Sequence, residues 1–173
     1  KKLSHNKKIK PLILGFCSSS SGSGKTTLLE KIIPMLKLNG LVISVVKHAH
    51  HNFDIDTPGK DSYRLRKSGG YQTLVLNPER SVLITEDHKN KSDIDCMIEQ
   101  MDQHVDMILI EGLKTLPYKK IEVFRKGISK EKLYTSNKSI IAIATDTNDK
   151  EMITSLNINN PKEVCKFILN LIK

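Results

Sequence analysis

The sequence predicts an α/β fold of the P-loop nucleoside-triphosphatase type, with a mostly parallel, doubly wound sheet. Two observations support this fold class. Short apolar runs alternate along the chain with segments that carry apolar residues at helical spacing, a pattern typical of parallel strands covered by helices. In addition, residues 22–27, Gly-Ser-Gly-Lys-Thr-Thr, lie between the first apolar run and the first helical segment, where phosphate-binding loops occur. We therefore expect one nucleotide-binding domain over residues 1–173.

Apolar runs predict the strands of the main sheet, and segments with helical spacing predict the helices. The strands are expected at residues 11–16, 41–46, 107–110, 121–124 and 140–144. The helices are expected at residues 27–38, 61–68, 94–101 and 164–172. Gly40 marks the end of the first helix, because glycine is common directly after a helix C-terminus. Since strands and helices alternate, the sheet is expected to be covered on both faces.

An antiparallel hairpin is predicted as an insert at residues 71–86. Two short runs rich in β-branched and leucine side chains, 73–76 and 82–85, flank the turn Asn-Pro-Glu-Arg at residues 77–80, which is a typical hairpin pattern. An exposed edge strand can pair with the same strand of a second copy of the chain. The sequence therefore predicts a homodimer to which this insert contributes.

The net charge of +9 comes from 28 Lys and Arg against 19 Asp and Glu. It favours anionic partners such as nucleotides and phosphorylated cofactors. Much of the excess is Lys in a chain also rich in Ile and Asn, so genome composition is an alternative explanation of the charge. The four Phe and four Tyr lack the spacing of RNA-binding sheets, so nucleic acid is not expected as a partner.

The sequence predicts a cytoplasmic protein without membrane contact. No run approaches the roughly 20 apolar residues that span a bilayer, and the basic start at residues 1–10 is not followed by a signal-peptide pattern. The three cysteines, Cys17, Cys96 and Cys165, are far apart and form no CxxC pair. We therefore expect reduced thiols, and we interpret the basic start as a candidate disordered segment.

The segment after the first apolar run carries the phosphate-binding half of a P-loop. Phosphate binding needs converging backbone N–H groups, with glycine where a side chain would block the anion or where φ is positive, and Gly22 and Gly24 meet that need. Lys25 can reach the β- and γ-phosphates, and Thr26 can place its hydroxyl on Mg²⁺. The nucleotide-binding residues expected here are Gly22, Ser23, Gly24, Lys25, Thr26 and Thr27. The complete pattern has a glycine five positions before Gly24, where this chain has Ser19.

Glu111 is the predicted acidic partner of this loop. A P-loop requires a carboxylate on a neighbouring strand, which holds magnesium through water or positions the attacking water. Residues 107–110 form an apolar run that ends in Glu111, whereas Asp106 lies at its opposite end. We therefore expect Thr26 and Glu111 to serve Mg²⁺, and Lys25 and Glu111 to act in catalysis. The alternative for Glu111 is a surface carboxylate at a strand end.

A polar loop at residues 47–60 follows the second predicted strand and is long enough to be functional. Its histidines and two aspartates are His48, His50, His51, Asp54 and Asp56. These residue types can bind zinc, so a structural zinc site is one interpretation. In a doubly wound sheet, however, such a loop leaves the carboxyl end of its strand and faces the ligand crevice. A role close to the nucleotide is therefore the stronger interpretation.

Asp146 follows the last predicted strand, at residues 140–144, where a carboxylate can accept hydrogen bonds from a guanine edge. The earlier pair Asn137-Lys138 resembles the guanine-binding NKxD motif only superficially. Ile140 has the position of the motif's aspartate, and the pair precedes the strand. We therefore expect Asp146, and not this pair, to contribute to a preference for guanine.

Three segments of the chain resemble the molybdopterin-guanine dinucleotide biosynthesis protein B family: SGSGKTTLLEKIIP, VVKHAHHNFDIDTPGKDSYRLRKSGG and DMILIEGLK. The resemblance covers residues 11–146, its most specific part is residues 47–62, and residues 80–86 fit as well. In this family the glycine that Ser19 replaces is not a dependable feature. Outside the P-loop, the expected nucleotide-binding residues are Lys47, His48, Asp54, Asp56, Lys60, Asp61, Arg80 and Asp146.

The resemblance implies a GTP-binding protein with weak hydrolysis, usually a homodimer, that assists the molybdenum cofactor guanylyltransferase in attaching GMP to molybdopterin. GTP and Mg²⁺ are then the expected ligands, and a molybdopterin-containing ligand is a candidate for the loop at residues 47–61. Two alternatives stay open. A small-molecule or nucleotide kinase would share the P-loop and would use Arg64, Arg66 and Arg80 as lid candidates. A non-catalytic module would deliver a pterin or a nucleotide, with hydrolysis vestigial.

Overall fold

The structure of the chain is a computed structural model in which three stretches are described. They are residues 10–49, 53–86 and 94–172. Two of the sequence predictions concern residues outside these stretches. They are the disorder of the basic start, of which residues 1–9 are not described, and the roles of His50 and His51.

Two compact units make up the described chain. Residues 10–48 and 102–172 form the larger unit, and the described residues of Ala49–Met101 form the smaller one. That residues 1–173 act as a single nucleotide-binding domain stays a prediction. Within the described stretches, no helix has both the length and the apolar character that crossing a membrane requires.

Eight strands and four α-helices are present in the described residues, with one short 3₁₀ helix at Leu133–Thr135. The strands are β1 (Leu12–Cys17), β2 (Ile43–Lys47), β3 (Gln72–Leu76), β4 (Ser81–Thr85), β5 (Met107–Glu111), β6 (Lys120–Phe124), β7 (Ile140–Thr145) and β8 (Thr154–Asn157). The helices are α1 (Lys25–Leu38), α2 (Asp61–Lys67), α3 (Ile94–Glu99) and α4 (Pro161–Ile172). The structure thus adds β8 and the 3₁₀ helix to the predicted elements.

A six-stranded parallel sheet forms the larger unit, in the order β2-β5-β1-β6-β7-β8. Between β1 and β5, Leu12 lies opposite Met107 and Phe16 lies opposite Glu111. The carboxyl ends of these neighbouring strands therefore reach the same edge of the sheet. The predicted α/β fold with a mostly parallel sheet is confirmed.

The core of the larger unit lies between the sheet and two helices that contact each other, α1 and α4. In α1 the buried residues Leu28, Leu29, Ile32 and Leu36 recur at helical spacing and form one apolar face. In α4 the buried residues are Val164, Cys165 and Ile168. Because β1 and α1 are both fixed in this core, the loop that joins them has firmly held ends.

Gly15 in β1 allows the neighbouring strand β6 to approach closely. A Cβ atom on Gly15 would lie 2.9 Å from Cγ of Lys120, which is too close for any real contact. Lys120 is 1% exposed, and its ammonium group donates hydrogen bonds to the carbonyl oxygens of Leu116 and Tyr118, the latter at 2.7 Å. Burial lowers the pKa of Lys120, because desolvation disfavours the charged form.

The smaller unit contains the predicted hairpin. Strands β3 and β4 pair antiparallel, with Gln72 opposite Thr85 and Leu76 opposite Ser81. The side chain of Asn77 stabilises the turn, since its Oδ1 accepts backbone N–H groups of Glu79 at 2.9 Å and of Arg80 at 2.7 Å. Asparagine is favoured in turns for this kind of bond. The antiparallel insert is therefore confirmed.

Candidate functional site

The β1–α1 loop, residues 18–24, has the backbone that the sequence predicts for phosphate binding. Gly22 and Gly24 have φ of 75° and 95°, in the left-handed region that favours glycine. Gly24 is the N-cap of α1, and its carbonyl oxygen accepts the N–H of Leu28 at 2.9 Å. The free N–H groups at the start of a helix carry a partial positive charge. The arrangement can therefore bind an anion.

The side chain of Lys25 turns back over the β1–α1 loop. Its Nζ donates hydrogen bonds to Oγ of Ser18, to the carbonyl oxygen of Ser20 at 3.3 Å and to Oγ of Ser23 at 3.4 Å. Burial lowers the pKa of Lys25, and the nearby carboxylate of Glu111 opposes that shift. The loop thus holds the ammonium group of Lys25 against its own oxygen atoms.

Ser19 occupies the position where the P-loop pattern has its first glycine. Its Oγ accepts the backbone N–H groups of Lys130 at 3.1 Å and of Glu131 at 3.3 Å. A glycine could not make these bonds. The serine therefore connects the first turn of the β1–α1 loop to the segment that follows β6, a contact that the sequence pattern did not indicate.

Thr26 and Glu111, the two residues predicted to serve Mg²⁺, contact each other directly, and their metal binding stays a prediction. Oγ1 of Thr26 donates a hydrogen bond to Oε1 of Glu111 at 2.6 Å, and Nζ of Lys47 lies 3.4 Å from Oε2. The sheet order explains this cluster, because β5, which ends in Glu111, lies between β2, which ends in Lys47, and β1. Hydroxyl and carboxylate oxygens are the ligand types that Mg²⁺ prefers, so this donor set fits the predicted metal.

A tight turn follows β5. Gly112 has φ of 96°, and Leu113 has φ of 52°, the one positive φ among the non-glycine residues of the described stretches. A left-handed leucine is rare and costs energy. The N–H of His48 donates to the carbonyl oxygen of Glu111 at 3.3 Å, so the predicted residue His48 reaches this turn through its backbone.

A cavity of about 370 Å³ lies beyond the ends of β7 and β8. It is lined by residues 145–149, by residues 155–157 with Asn159, and by Glu163. The predicted residue Asp146 is part of this wall. Its Oδ1 accepts the N–H of Lys126 at 2.9 Å, and its Oδ2 lies 3.5 Å from Nη1 of Arg125. The Asp146 carboxylate, which has two contacts within the chain, therefore lies in the wall of a cavity lined largely by polar residues.

The aspartates predicted on the polar loop bind an arginine of the smaller unit. Arg66 is 8% exposed, and its guanidinium donates to both carboxylate oxygens of Asp54, at 2.8 and 2.9 Å. It also pairs with Glu86 and lies 3.7 Å from Asp56. The pKa of Asp54 is lowered, first by the hydrogen bond from the backbone of Asp56 and then by Arg66. A nucleotide contact of these aspartates stays a prediction.

The remaining predicted residues of the smaller unit lie at the ends of its elements. Lys60 is the N-cap of α2, Asp61 is its first residue, and Arg80 ends the hairpin turn. Their contact with a nucleotide also stays a prediction. In the described stretches, no group of three or more His, Cys, Asp or Glu side chains is arranged to hold a metal ion.

Three features define the class of the protein as an α/β protein with a candidate phosphate-binding loop. They are the parallel sheet, the left-handed glycines before α1 and the Thr26–Glu111 contact. The family model described as "Molybdopterin guanine dinucleotide synthesis protein B" (MobB) matches residues 13–146. The chain therefore belongs to the MobB family.

Relatives and solved structures agree with this family. The chain is 38% identical over 152 residues to a molybdopterin-guanine dinucleotide biosynthesis adapter protein of Escherichia coli, covering 86% of this chain and 87% of that protein. A protein of the same name from Haemophilus influenzae is 40% identical over 151 residues, with coverages of 87% and 84%. A crystal structure of molybdopterin-guanine biosynthesis protein B is similar in fold, with a TM-score of 0.72 at 23% identity, covering 92% of this chain and 99% of that one. Bacillus subtilis MobB gives a TM-score of 0.69 at 23% identity, with coverages of 94% and 98%.

Proposed function

We propose that this chain binds GTP with Mg²⁺ and acts as an adapter that helps the molybdenum cofactor guanylyltransferase to attach GMP to molybdopterin. The observation that carries the proposal is the 2.6 Å hydrogen bond between Thr26 and Glu111. It supports the proposal because the hydroxyl and carboxylate are the kinds of oxygen group with which a P-loop holds magnesium, and they lie beside the loop proposed to bind phosphate. Membership of the MobB family and the adapter names of the relatives supply the pathway.

The residues of the larger unit have separate roles in this proposal. The N–H groups of the β1–α1 loop and the ammonium of Lys25 bind the phosphates. Thr26 and Glu111 would hold Mg²⁺, which neutralises phosphate charge when bound. Glu111 orients water toward the terminal phosphate, and Lys47, at 3.4 Å, offsets part of its negative charge. Without a partner that supplies an arginine, we expect hydrolysis to be slow, roughly below 1 s⁻¹.

The cavity beside Asp146 supports guanine as the base. Guanine presents N–H donors on its Watson–Crick edge, and a carboxylate accepts such donors. Adenine presents an acceptor at the corresponding ring nitrogen, so it would leave a polar group unmatched, at a cost of about 1–3 kcal/mol. The volume of about 370 Å³ lies within the range of small-ligand sites.

Measuring the affinities for GTP and ATP side by side tests the nucleotide. We expect wild-type protein to bind GTP roughly tenfold or more tightly than ATP, because of the unmatched polar group. Asp146→Ala should narrow that difference, and Asp102→Ala, which removes an exposed carboxylate, should leave it unchanged. Equal affinities of the wild-type protein for GTP and ATP would contradict a guanine site.

The fate of the terminal phosphate separates an adapter from the two alternatives. The protein is incubated with GTP and a panel of acceptors, with and without the guanylyltransferase. An adapter GTPase should release free phosphate slowly and raise the yield of the guanine dinucleotide. A phosphorylated acceptor would instead indicate a kinase, and GTP binding with no hydrolysis would indicate a delivery module.

We also propose that the protein is a homodimer to which the hairpin contributes. Leu74 and Leu83 are directly opposite each other in the β3–β4 ladder, and with Leu76 they form an apolar face that is 56–68% exposed. Exposed apolar patches of this kind mark protein interaction sites. Light scattering at high micromolar concentration should give the mass of a dimer, and Leu83→Lys should shift it toward the monomer. A monomer mass for the wild-type protein would remove this proposal.

A further inference from the structure

Arg125, the residue directly after β6, lies against the β1–α1 loop. A Cβ atom placed on Gly24 would be 3.7 Å from Nη2 of Arg125 and 3.9 Å from its Nε. The guanidinium group therefore lies next to the last glycine of the loop, where α1 begins, close enough that a side chain at this position would touch it. No sequence motif marks this arginine.

The electrostatic surroundings of this guanidinium are unfavourable. The N-terminus of a helix carries partial positive charge, and cations are disfavoured there. Lys25 adds a second cation at the same helix end, and the first turn of α1 has no acidic residue to offset them. Among the described residues, the Arg125 side chain donates one hydrogen bond, from Nη1 to Oδ2 of Asp146 at 3.5 Å. Glu111 contacts Thr26 in the first turn of α1 and offsets part of this positive charge on its side of the loop. On the side of Arg125, Asp146 supplies an acceptor only at the outer limit of hydrogen bonding, and a phosphate there would supply a closer one.

The sheet order indicates which part of a nucleotide this anion belongs to. Strand β1 lies between β5 and β6, so Glu111 and Arg125 flank the β1–α1 loop from opposite sides. Beyond β6 comes β7, which is followed by Asp146 and the cavity. Arg125 therefore lies between the loop proposed to bind phosphates and the cavity proposed to bind the base. Along a nucleotide, the phosphates nearest the ribose occupy that position.

We propose that Arg125 binds the nucleotide through a phosphate that GDP and GTP share, on the side of the loop opposite Glu111. The inference rests on the proposed nucleotide binding and adds a residue to that site. An arginine suits this role because it stays charged and donates several N–H groups in a planar fork that matches phosphate oxygens.

The competing explanation is that Arg125 only forms a structural ion pair with Asp146. That pair is 3.5 Å long, and its side chains are 33% and 22% exposed. A single ion pair at this distance that is partly open to solvent contributes little stability. If Arg125 serves the nucleotide, removing its charge should leave the midpoint of thermal unfolding of the nucleotide-free protein unchanged or slightly higher, because a cation leaves a helix N-terminus.

The test compares Arg125→Gln, Arg125→Lys and Lys138→Gln with the wild-type protein. Lys138 is an exposed lysine before β7, at the opposite edge of the sheet, so it controls for net charge. We expect Arg125→Gln to weaken GDP and GTP binding to a similar extent, by roughly tenfold, with a smaller nucleotide-induced rise in the unfolding midpoint. Arg125→Lys should recover part of both affinities, and Lys138→Gln should match the wild type.

Three results would overturn the inference while nucleotide binding stands. They are wild-type affinities in Arg125→Gln, a loss confined to GTP, and a lowered unfolding midpoint of the nucleotide-free variant with an unchanged nucleotide-induced shift. A wild-type protein that binds neither GDP nor GTP would overturn the proposed function itself, and the role of Arg125 with it. The measurement therefore distinguishes the two failures.

Discussion

The two units of the chain use their carboxylates differently. In the larger unit, the Glu111 carboxylate accepts a hydrogen bond from the Thr26 hydroxyl, at 2.6 Å, and lies 3.4 Å from a mostly exposed cation, Lys47. In the smaller unit, three carboxylates converge on Arg66, whose side chain is 6% exposed. Hydrogen bonds to Glu86 and Asp54 raise the pKa of this arginine. The first arrangement leaves carboxylate oxygen able to serve a ligand. In the second, the arginine and the carboxylates balance each other's charge within the chain, although Nε of Arg66 and Oδ2 of Asp56 are buried without a hydrogen bond to the described residues. Acidic residues that look similar in the sequence thus differ in the groups that their carboxylates contact.

Glu111→Gln tests the carboxylate of the larger unit, and its effect should be larger than that of Arg66→Met in the smaller unit. The amide keeps an oxygen for Thr26 but loses the charge that, in the proposed function, orients water or a magnesium ligand. We expect GTP hydrolysis to slow roughly 10²-fold, while GTP affinity stays within a few-fold of the wild type. Single-turnover hydrolysis and equilibrium titration measure the two quantities separately.

Asp106→Asn is the matched control for that substitution. Asp106 precedes β5 at the end opposite Glu111, and its Oδ2 accepts the N–H of Val42 at 2.7 Å. Asparagine keeps an acceptor there, so hydrolysis should remain at the wild-type rate. If Glu111→Gln also hydrolyses GTP at the wild-type rate with binding intact, Glu111 is only a strand-end carboxylate.

Arg66→Met tests the carboxylate cluster of the smaller unit. It should lower the thermal stability of the protein and leave its GTP affinity nearly unchanged. Removing the guanidinium leaves Asp54, Asp56 and Glu86 close together without their cation, which is unfavourable in a poorly solvated place. We expect the midpoint of thermal unfolding to fall by several degrees, with GTP affinity changed less than about threefold, since this cluster holds the loop itself. Circular dichroism melting and nucleotide titration give the two values.

Arg64→Met provides the comparison within the same helix. Arg64 is exposed and lies 3.8 Å from the exposed Asp61, so its loss should hardly change the midpoint. A marked fall of GTP affinity in Arg66→Met would reverse the comparison. It would show that the loop of Asp54 and Asp56 serves the nucleotide, as its place in the sequence predicts.

The parts of the fold that could be predicted are those with a local pattern. Apolar runs identified β1, β2, β5, β6 and β7 within two residues at either end, because these strands are buried or half-buried in a parallel sheet. Strand β8 was missed since only Leu156 of its four residues is buried. The 3₁₀ helix was missed because it depends on a distant residue: the buried Glu122 accepts the N–H groups of Leu133 at 2.7 Å and Tyr134 at 2.9 Å.

In the candidate site, too, the residues that could be predicted are those with a local pattern in the sequence. Thr26 could be paired with Glu111 because one lies in a motif and the other ends a buried strand, and parallel strands bring such ends together. Arg125 and the contacts of Ser19 could not be predicted. They depend on β6 being the neighbour of β1, and the sequence does not specify strand order. The Arg66 cluster could not be predicted either, since Asp54 and Glu86 lie 12 and 20 residues from Arg66 along the chain.

The two bonds that Ser19 accepts bear on the entropy of ligand binding. A glycine at this position would leave the first turn of the loop with wide backbone freedom, and binding an anion would then have to restrict it. In this chain the Ser19 hydroxyl already ties that turn to Lys130 and Glu131, and Ser18 Oγ bonds the carbonyl oxygen of Ser20 at 2.6 Å. Much of the ordering is therefore completed during folding. A preorganised loop loses less conformational entropy on association, so more of each contact is expressed as affinity.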